Sequence, residues 1–326
     1  MRILILGGGG FLGRRLAKEL LENGGLTRGE VTHLTLVDLS FPGDRLQDPR
    51  LAFTEADFGN EETIRNILQQ KPDVIFHLAA IVSGEAEKNL DLGMKINFHA
   101  SLQILELCRK VAIHPRIVFS SSCGVFGGDV SKVIVDETAP KPRSSYGTEK
   151  AMVELLMNDY SRRGFVDART LRLPTIAVRP GKANAATSSF ISSIIREPLN
   201  GKKASYPVPS ESEFWILSPK RVIQNFIHAA NIDEKKLGDD RIINLPGLTV
   251  SIREMINSLE QIASPEVTRL ISHEPDAFLQ SIVLTWPPHF NTTRANSLGF
   301  VRDASVEEII KSYIHEEGIV MKNKLN

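Results

Sequence analysis

Residues 3–13 read Ile3-Leu4-Ile5-Leu6-Gly7-Gly8-Gly9-Gly10-Phe11-Leu12-Gly13. An apolar run that begins at Arg2 stops at Leu6 in four consecutive glycines, and beyond Gly13 apolar residues recur at Leu16, Leu20 and Leu21. A short apolar run followed by helical spacing predicts strand, turn and helix. Glycines in such a turn let the backbone come close to a pyrophosphate, and the helix start offers N–H groups with no intrahelical partner. Gly7, Gly10 and Gly13, with Phe11 and Leu12 between them, are therefore candidate dinucleotide-binding residues. The glycines fit Gly-x-x-Gly-x-x-Gly from Gly7 and Gly-x-Gly-x-x-Gly from Gly8, so they do not choose a subclass. A flexible turn has the same composition; the strand before it and the helix after it favour the cofactor.

Working outward, a second strand over Val31–Val37 ends at Asp38, 25 positions past Gly13. That is close to the ~20 expected of a carboxylate on the ribose hydroxyls. Its charge repels a 2′-phosphate, so NAD is expected over NADP, with Arg14 and Arg15 as the alternative phosphate partners. Further strands are expected over Leu51–Ala56, Asp73–Leu78, Arg116–Phe119 and Ala168–Leu173. Helices over Glu61–Gln70, Leu90–Val111 and Tyr146–Arg163 alternate with them, and Ile81–Glu87 reads as a loop. This alternation predicts an α/β fold with a Rossmann-type doubly wound parallel sheet, whose ligands lie beyond the strand C-termini. The glycine turn, Asp38, Ala79-Ala80, Ser122 and Pro174 all fall at such ends.

After Pro174 the pattern loosens. Helices are expected at Phe190–Ile195, Arg221–Ala230, Val250–Ile262 and Ser305–Tyr313, and a polar loop at Asn200–Glu213. A short strand at Arg241–Leu245 is expected to rejoin the sheet. The expected division is a dinucleotide-binding domain over 1–174, with the return of 221–246. A smaller C-terminal substrate-binding lobe would then be built from 175–220 and 247–326.

The chemistry concentrates between Phe119-Ser120-Ser121-Ser122 and Tyr146-Gly147-Thr148-Glu149-Lys150. Tyr146 and Lys150 are four apart and share a helix face. A phenol with a pKa near ~10 is a poor base at neutral pH, and a neighbouring ammonium lowers that value. A serine hydroxyl from a strand end completes a proton-transfer device for a carbinol carbon. A lone Tyr-x-x-x-Lys is usually a solvated helix face; the preceding dinucleotide turn gives this one weight. Asn97 is unfavourable inside a helix and is read as a support for Lys150 or a local cap. Ser83 and Thr175 are candidate substrate contacts, and Pro174 a wall of the nicotinamide pocket. Arg179 and Asn184 are candidates for a substrate's carboxylate and hydroxyls, because a guanidinium matches a planar carboxylate.

Composition bounds the rest. The 326 residues include 39 basic and 39 acidic side chains, so no basic excess points to nucleic acid or an anionic membrane as partner. The short, glycine-interrupted N-terminus reads as neither signal peptide nor membrane span. Two cysteines, Cys108 and Cys123, give no disulfide framework. With the scattered histidines, they suggest no metal site, and a cytoplasmic setting is expected.

In order and separation, Gly7–Gly13, Asp38, Asp57, His77-Leu78-Ala79-Ala80, Asn97, Ser120-Ser121-Ser122 and Tyr146-x-x-x-Lys150 resemble the extended short-chain dehydrogenase/reductase family. The resemblance implies an NAD enzyme with Ser122, Tyr146 and Lys150 as catalytic residues. It adds Asp57, Phe58, Leu78, Ala79, Ala80, Asn97 and Ser120 to the cofactor contacts, together with Tyr146 and with Lys150, which it implies binds the nicotinamide ribose. Sugar epimerases of the family usually carry Tyr where Phe126 stands, which counts against a nucleotide-sugar substrate. A narrower resemblance, to the D-erythronate dehydrogenase family, lies in Leu171–Ile176, Arg179-Pro180-Gly181, Asn184-Ala185-Ala186, Arg196–Leu199, Asn291–Ala295 and Leu298-Gly299-Phe300. It implies oxidation of the C2 hydroxyl of a four-carbon sugar acid. Residues 83–89 resemble the related L-threonine dehydrogenases. An NAD-retaining epimerase and a non-catalytic NAD-binding regulator are the competing readings. A homodimer through a four-helix bundle is expected, from apolar residues left over on Leu90–Val111 (Leu102, Leu105, Leu107) and Tyr146–Arg163 (Met152, Leu155, Leu156, Met157).

Overall fold

A computed structural model describes residues 1–43, 45–181 and 186–320. The first strand, β1 (Arg2–Leu6), passes through the glycine turn into α1 (Phe11–Asn23). There follow β2 (His33–Asp38), β3 (Leu51–Glu55), α2 (Glu61–Leu68) and β4 (Val74–His77). All pairings in the main sheet are parallel. After α3 (Ser83–Lys88), α4 (Leu90–Gly93) and α5 (Ala100–Lys110) come β5 (Arg116–Ser122), α6 (Ser145–Arg162) and β6 (Asp167–Leu173). The chain continues through β7 (Thr175–Ile176), α7 (Ser189–Leu199), β8 (Ala204–Tyr206), β9 (Glu213–Leu217), α8 (Pro219–Asn231), α9 (Glu234–Leu237) and β10 (Ile242–Asn244).

Seven strands form the main sheet in the order β10-β6-β5-β4-β1-β2-β3. The order reverses between β1 and β4, which opens a crevice at their C-terminal ends. Because helices cover both faces, the inner strands β1 and β4 are buried on both sides and read as near-continuous apolar runs rather than alternating. Ile3 and Ile5 face Leu16 and Leu20 of α1 and Phe226 of α8. Leu4 and Leu6 face the other way, with Ile64 of α2, Ile104 of α5 and Val153 of α6. Beside the sheet, β11 (Leu248–Ser251), β9 and β7 form a three-stranded sheet, and β12 (Ile271–His273) pairs with β8. A separate apolar cluster joins α7, β9 and the helices Ile252–Ile262 and Val306–Glu316.

Several expectations are corrected. Ile81–Glu87 is not all loop, since α3 begins at Ser83. The helix expected over Leu90–Val111 runs without interruption from Leu90 to Lys110, but its winding changes along the way. Asn89 ends α3, and its side chain accepts the Leu92 N–H at 3.1 Å to start α4, the local competition for which asparagine is known. A π-helical turn, Met94–His99, then separates α4 from α5. The polar stretch 200–213 contains β8, which its pairing with distant β12 stabilises. Val250 and Ser251 lie in β11, and the helix after them starts at Ile252, where Ser251 and Glu254 form a reciprocal cap. Of the apolar residues expected to be left over, Leu105, Leu107 and Met157 are buried in the chain's own core, whereas Leu155 is 68% exposed. Among the described residues, no helix is long and apolar enough to cross a membrane.

Candidate active site

The glycine turn is built by backbone demands. Gly7 has φ +85°, in the left-handed region, and a Cβ there would lie 2.7 Å from the Ala79 nitrogen. A Cβ on Gly13 would lie 2.3 Å from the Gly7 carbonyl oxygen. The helix it opens has Gly10 at its N-cap, with no capping side chain and no acidic residue in its first turn. The positive end of α1 is thus left for an anion, and the turn fits a pyrophosphate. Phe11 and Leu12 pack partly buried against the sheet.

Asp38 closes β2, and its carboxylate accepts the Gly9 N–H at 2.9 Å and the Leu39 N–H at 2.8 Å. Arg14 donates to the Pro42 carbonyl, and Arg15 pairs with Glu316 and Glu317 at the end of the last helix. Arg15 is thereby occupied away from the turn. Asp57 accepts the Gly59 N–H at 2.7 Å and Lys95 Nζ at 3.1 Å; the Gly59 bond, then Lys95, holds its carboxyl below the usual range. Phe58 is a buried core residue beside α2. Leu78, Ala79 and Ala80 follow β4, with the Leu78 N–H on the Leu6 carbonyl at 2.9 Å.

Ser122 ends β5, where its Oγ accepts the Gly124 N–H at 3.0 Å. Tyr146 lies in the first turn of α6, capped by the Ser144 hydroxyl on the Gly147 N–H at 3.2 Å. Gly147 is required for this seating, since a Cβ there would lie 2.2 Å from the Gly124 carbonyl oxygen. Ser120 donates to the His77 carbonyl at 3.1 Å. Lys150 is 1% exposed, and its Nζ donates to the Ser120 carbonyl at 3.0 Å. Burial pushes Lys150 down to about 8, against the carboxylates of Glu149 and Glu154.

The expected lowering of the Tyr146 pKa by Lys150 is corrected. Burial pushes the phenol up to about 12; the Arg179 guanidinium and a hydrogen bond with Ser122 are what oppose the rise. The Asn97 side chain accepts the Ile81 N–H at 2.8 Å, donates to the Ile81 carbonyl at 3.1 Å, and donates to Glu149 Oε2 at 2.6 Å.

Ser122, Tyr146, Pro174, Thr175, Arg179 and Ser83 line one cavity of ≈ 110 Å³. One water fills roughly 10–15 Å³ on such a measure, so the cavity is sized for a small molecule. Ser83 of its wall shares a hydrogen bond between hydroxyls with Thr187 at 3.1 Å. Arg179 donates Nε to the Ile176 carbonyl at 3.2 Å, and burial lowers its pKa while the facing Tyr146 raises it. Asn184 lies outside the described residues. Phe214, Trp215, Trp286 and Pro287 also line the cavity and were not expected there. The only signal in the sequence was the aperiodic Trp286-Pro287-Pro288; the position of Trp215 comes from the pairing of β9 with β7 and β11. Cys123 touches the same cavity, and burial pushes its thiol pKa up.

The NAD dependent epimerase/dehydratase family model matches residues 3–231. A D-erythronate dehydrogenase of Cupriavidus necator is 45% identical over 323 residues, 98% of this chain and 99% of that protein. Another, from Haemophilus influenzae, is 44% identical over 314 residues, 96% and 99% of the two chains. The crystal structure described as a nucleoside-diphosphate-sugar epimerase from Agrobacterium tumefaciens superposes with a TM-score of 0.93 at 41% identity, covering 99% of this chain and 96% of that one. With its Rossmann-type sheet and glycine turn, the chain belongs to the NAD dependent epimerase/dehydratase family and is an NAD-dependent dehydrogenase.

Proposed function

We propose that this protein oxidises the C2 hydroxyl of a four-carbon sugar acid, D-erythronate, to 2-dehydro-D-erythronate. The observation that carries the reading is the meeting of Ser122, Tyr146 and Arg179 in one small cavity. Two relatives that share its full length carry this activity in their names. In this reading Arg179 holds the carboxylate and Ser122 holds the C2 hydroxyl against Tyr146. Tyr146 takes the hydroxyl proton as the C2–H electron pair leaves and the C2=O bond forms. Bound NAD supplies the hydride acceptor. Gly7, Gly10 and Gly13 seat its pyrophosphate and Asp38 its ribose. Lys150 and Ser120 fix the end of β5 beneath the reacting centre, and Ser83 and Thr175 shape the acid's side of the cavity. The sheet half, 1–174 with 221–246, holds the cofactor; the pieces 175–220 and 247–326 hold the acid. A homodimer through the exposed faces of α5 and α6 completes the proposal.

One observation favours a second reading, an NAD-retaining epimerase: the name carried by the Agrobacterium structure. Against it, Phe126 has no hydroxyl, is fully buried, and lies under the Arg172 guanidinium at 4.7 Å. Steady-state assays with D-erythronate, L-threonate and L-threonine separate the two. NADH formation from a tetronate supports the dehydrogenase. No NADH from any of the three acids, with NAD that stays bound through desalting, supports the epimerase.

A further inference from the structure

Glu149 stands between Tyr146 and Lys150 on α6, and the function proposed above gives it no task. Carboxylates are seldom fully buried unless their oxygens are paired. Glu149 is 1% exposed; Oε2 accepts from Asn97 at 2.6 Å, and Oε1 has no hydrogen-bond partner among the described residues. Gly93 makes room for it, since a Cβ there would lie 2.4 Å from Oε1. Asn97, in the π-helical turn, grips both backbone groups of Ile81. Ile81 connects Ala80, on the cofactor side, to Val82 and Ser83 on the cavity wall. π-Helical turns are frequent at functional sites because they redirect a side chain out of helical register.

We propose that Glu149 is a positioning residue for the oxidation: through Asn97 it ties the Ile81–Ser83 wall to the helix that carries Tyr146 and Lys150, and its charge sets the field at both. Hydrogen bonds join Glu149 to Asn97 and Asn97 to Ile81, and two residues along the chain Ser83 of the cavity wall bonds Thr187. The charged groups around Glu149 are Lys150 on its own helix and Glu87 on α3. Its carboxylate favours the cationic form of Lys150 and disfavours the phenolate of Tyr146.

Three variants test this. Glu149→Ala removes both bond and charge, Glu149→Gln keeps an acceptor for Asn97 and removes the charge, and Gly93→Ala crowds Oε1 without removing any polar group. Hydrogen exchange at the Ile81 amide should quicken by about tenfold or more in Glu149→Ala and Gly93→Ala, as a locally opened segment does, and stay near wild type in Glu149→Gln. With whichever hydroxy acid the wild type oxidises, KM should rise about tenfold or more in the first two, the effect of a misplaced wall. Glu149→Gln should move the rising limb of the pH profile to lower pH. The exchange measurement is independent of the substrate, so a wrong choice of acid does not decide it. Wild-type exchange at Ile81 in Glu149→Ala, or in Gly93→Ala should the former not fold, overturns the proposal. An unmoved pH profile in Glu149→Gln overturns its electrostatic part.

Discussion

Lys150 Nζ donates to the carbonyl oxygen of Ser120 at 3.0 Å and lies 4.6 Å from the centre of the Phe119 ring. The lysine therefore clamps the end of β5, two residues before Ser122, to the helix carrying Tyr146. Its ammonium is buried, and burial depresses its pKa to about 8 from 10.5. A lysine whose folded pKa is depressed weakens the fold below that value, and stability rises between about pH 8 and 10.5, where the unfolded chain binds more protons. Lys150→Met should thus leave the thermal midpoint at pH 7 unchanged or higher, while reducing both turnover and NADH affinity. Calorimetry together with NADH titration checks it; a fall of many degrees in the midpoint would count against this account of Lys150.

Tyr146→Phe keeps the ring and removes the proton acceptor. Turnover should fall by roughly 10²–10⁴, the usual worth of a general base, with NADH binding nearly unchanged because the glycine turn is remote. Since burial holds the phenol near 12, oxidation by the wild type should keep accelerating through the alkaline range. A rate that is flat from pH 7 upward would show that another group takes the proton.

Arg179 is the charge that most opposes the rise in the Tyr146 pKa, and it faces the same cavity. Arg179→Met should raise KM for the acid by on the order of 10–100-fold, the worth of a hydrogen bond to a charged group. It should also move the pH profile further toward the alkaline side. A neutral diol substrate should lose far less than the acid does. Equal losses for both substrates would remove Arg179 as the carboxylate partner.

Asp38 binds the Gly9 and Leu39 N–H groups and presents its charge at the end of β2. Asp38→Ala should lower kcat/KM with NAD and raise the relative use of NADP, measured as the ratio of the two. A wild-type preference for NADP would overturn the role given to Asp38.

Leu155 is the large apolar residue on α6 that the fold leaves most exposed, at 68%. Leu155→Glu should convert the proposed dimer to a monomer in light scattering without lowering the unfolding midpoint. A wild type that is already monomeric at micromolar concentration would refute the four-helix contact.

The alternation of strands and helices, the glycine turn and the order of Asp38, Ser122, Tyr146 and Lys150 were legible in the chain alone. Each depends on local chemistry: apolar periodicity, the freedom of glycine, and the four-residue repeat of a helix. The π-helical turn was hidden, because Asn97 leaves helical register to reach Ile81 and Glu149, partners 16 and 52 residues away. Burial was hidden as well. The four-residue spacing of Tyr146 and Lys150 predicts an attraction that lowers the phenol's pKa, but the cost of removing both groups from water is set by packing and reverses the outcome. Trp215 and Trp286 reach the cavity only because β9 pairs with β7 and β11, and because residues 286–287 return against Gly124. Local sequence rules carry no information about contacts between segments distant in the chain, and the substrate side of this cavity is built from such contacts.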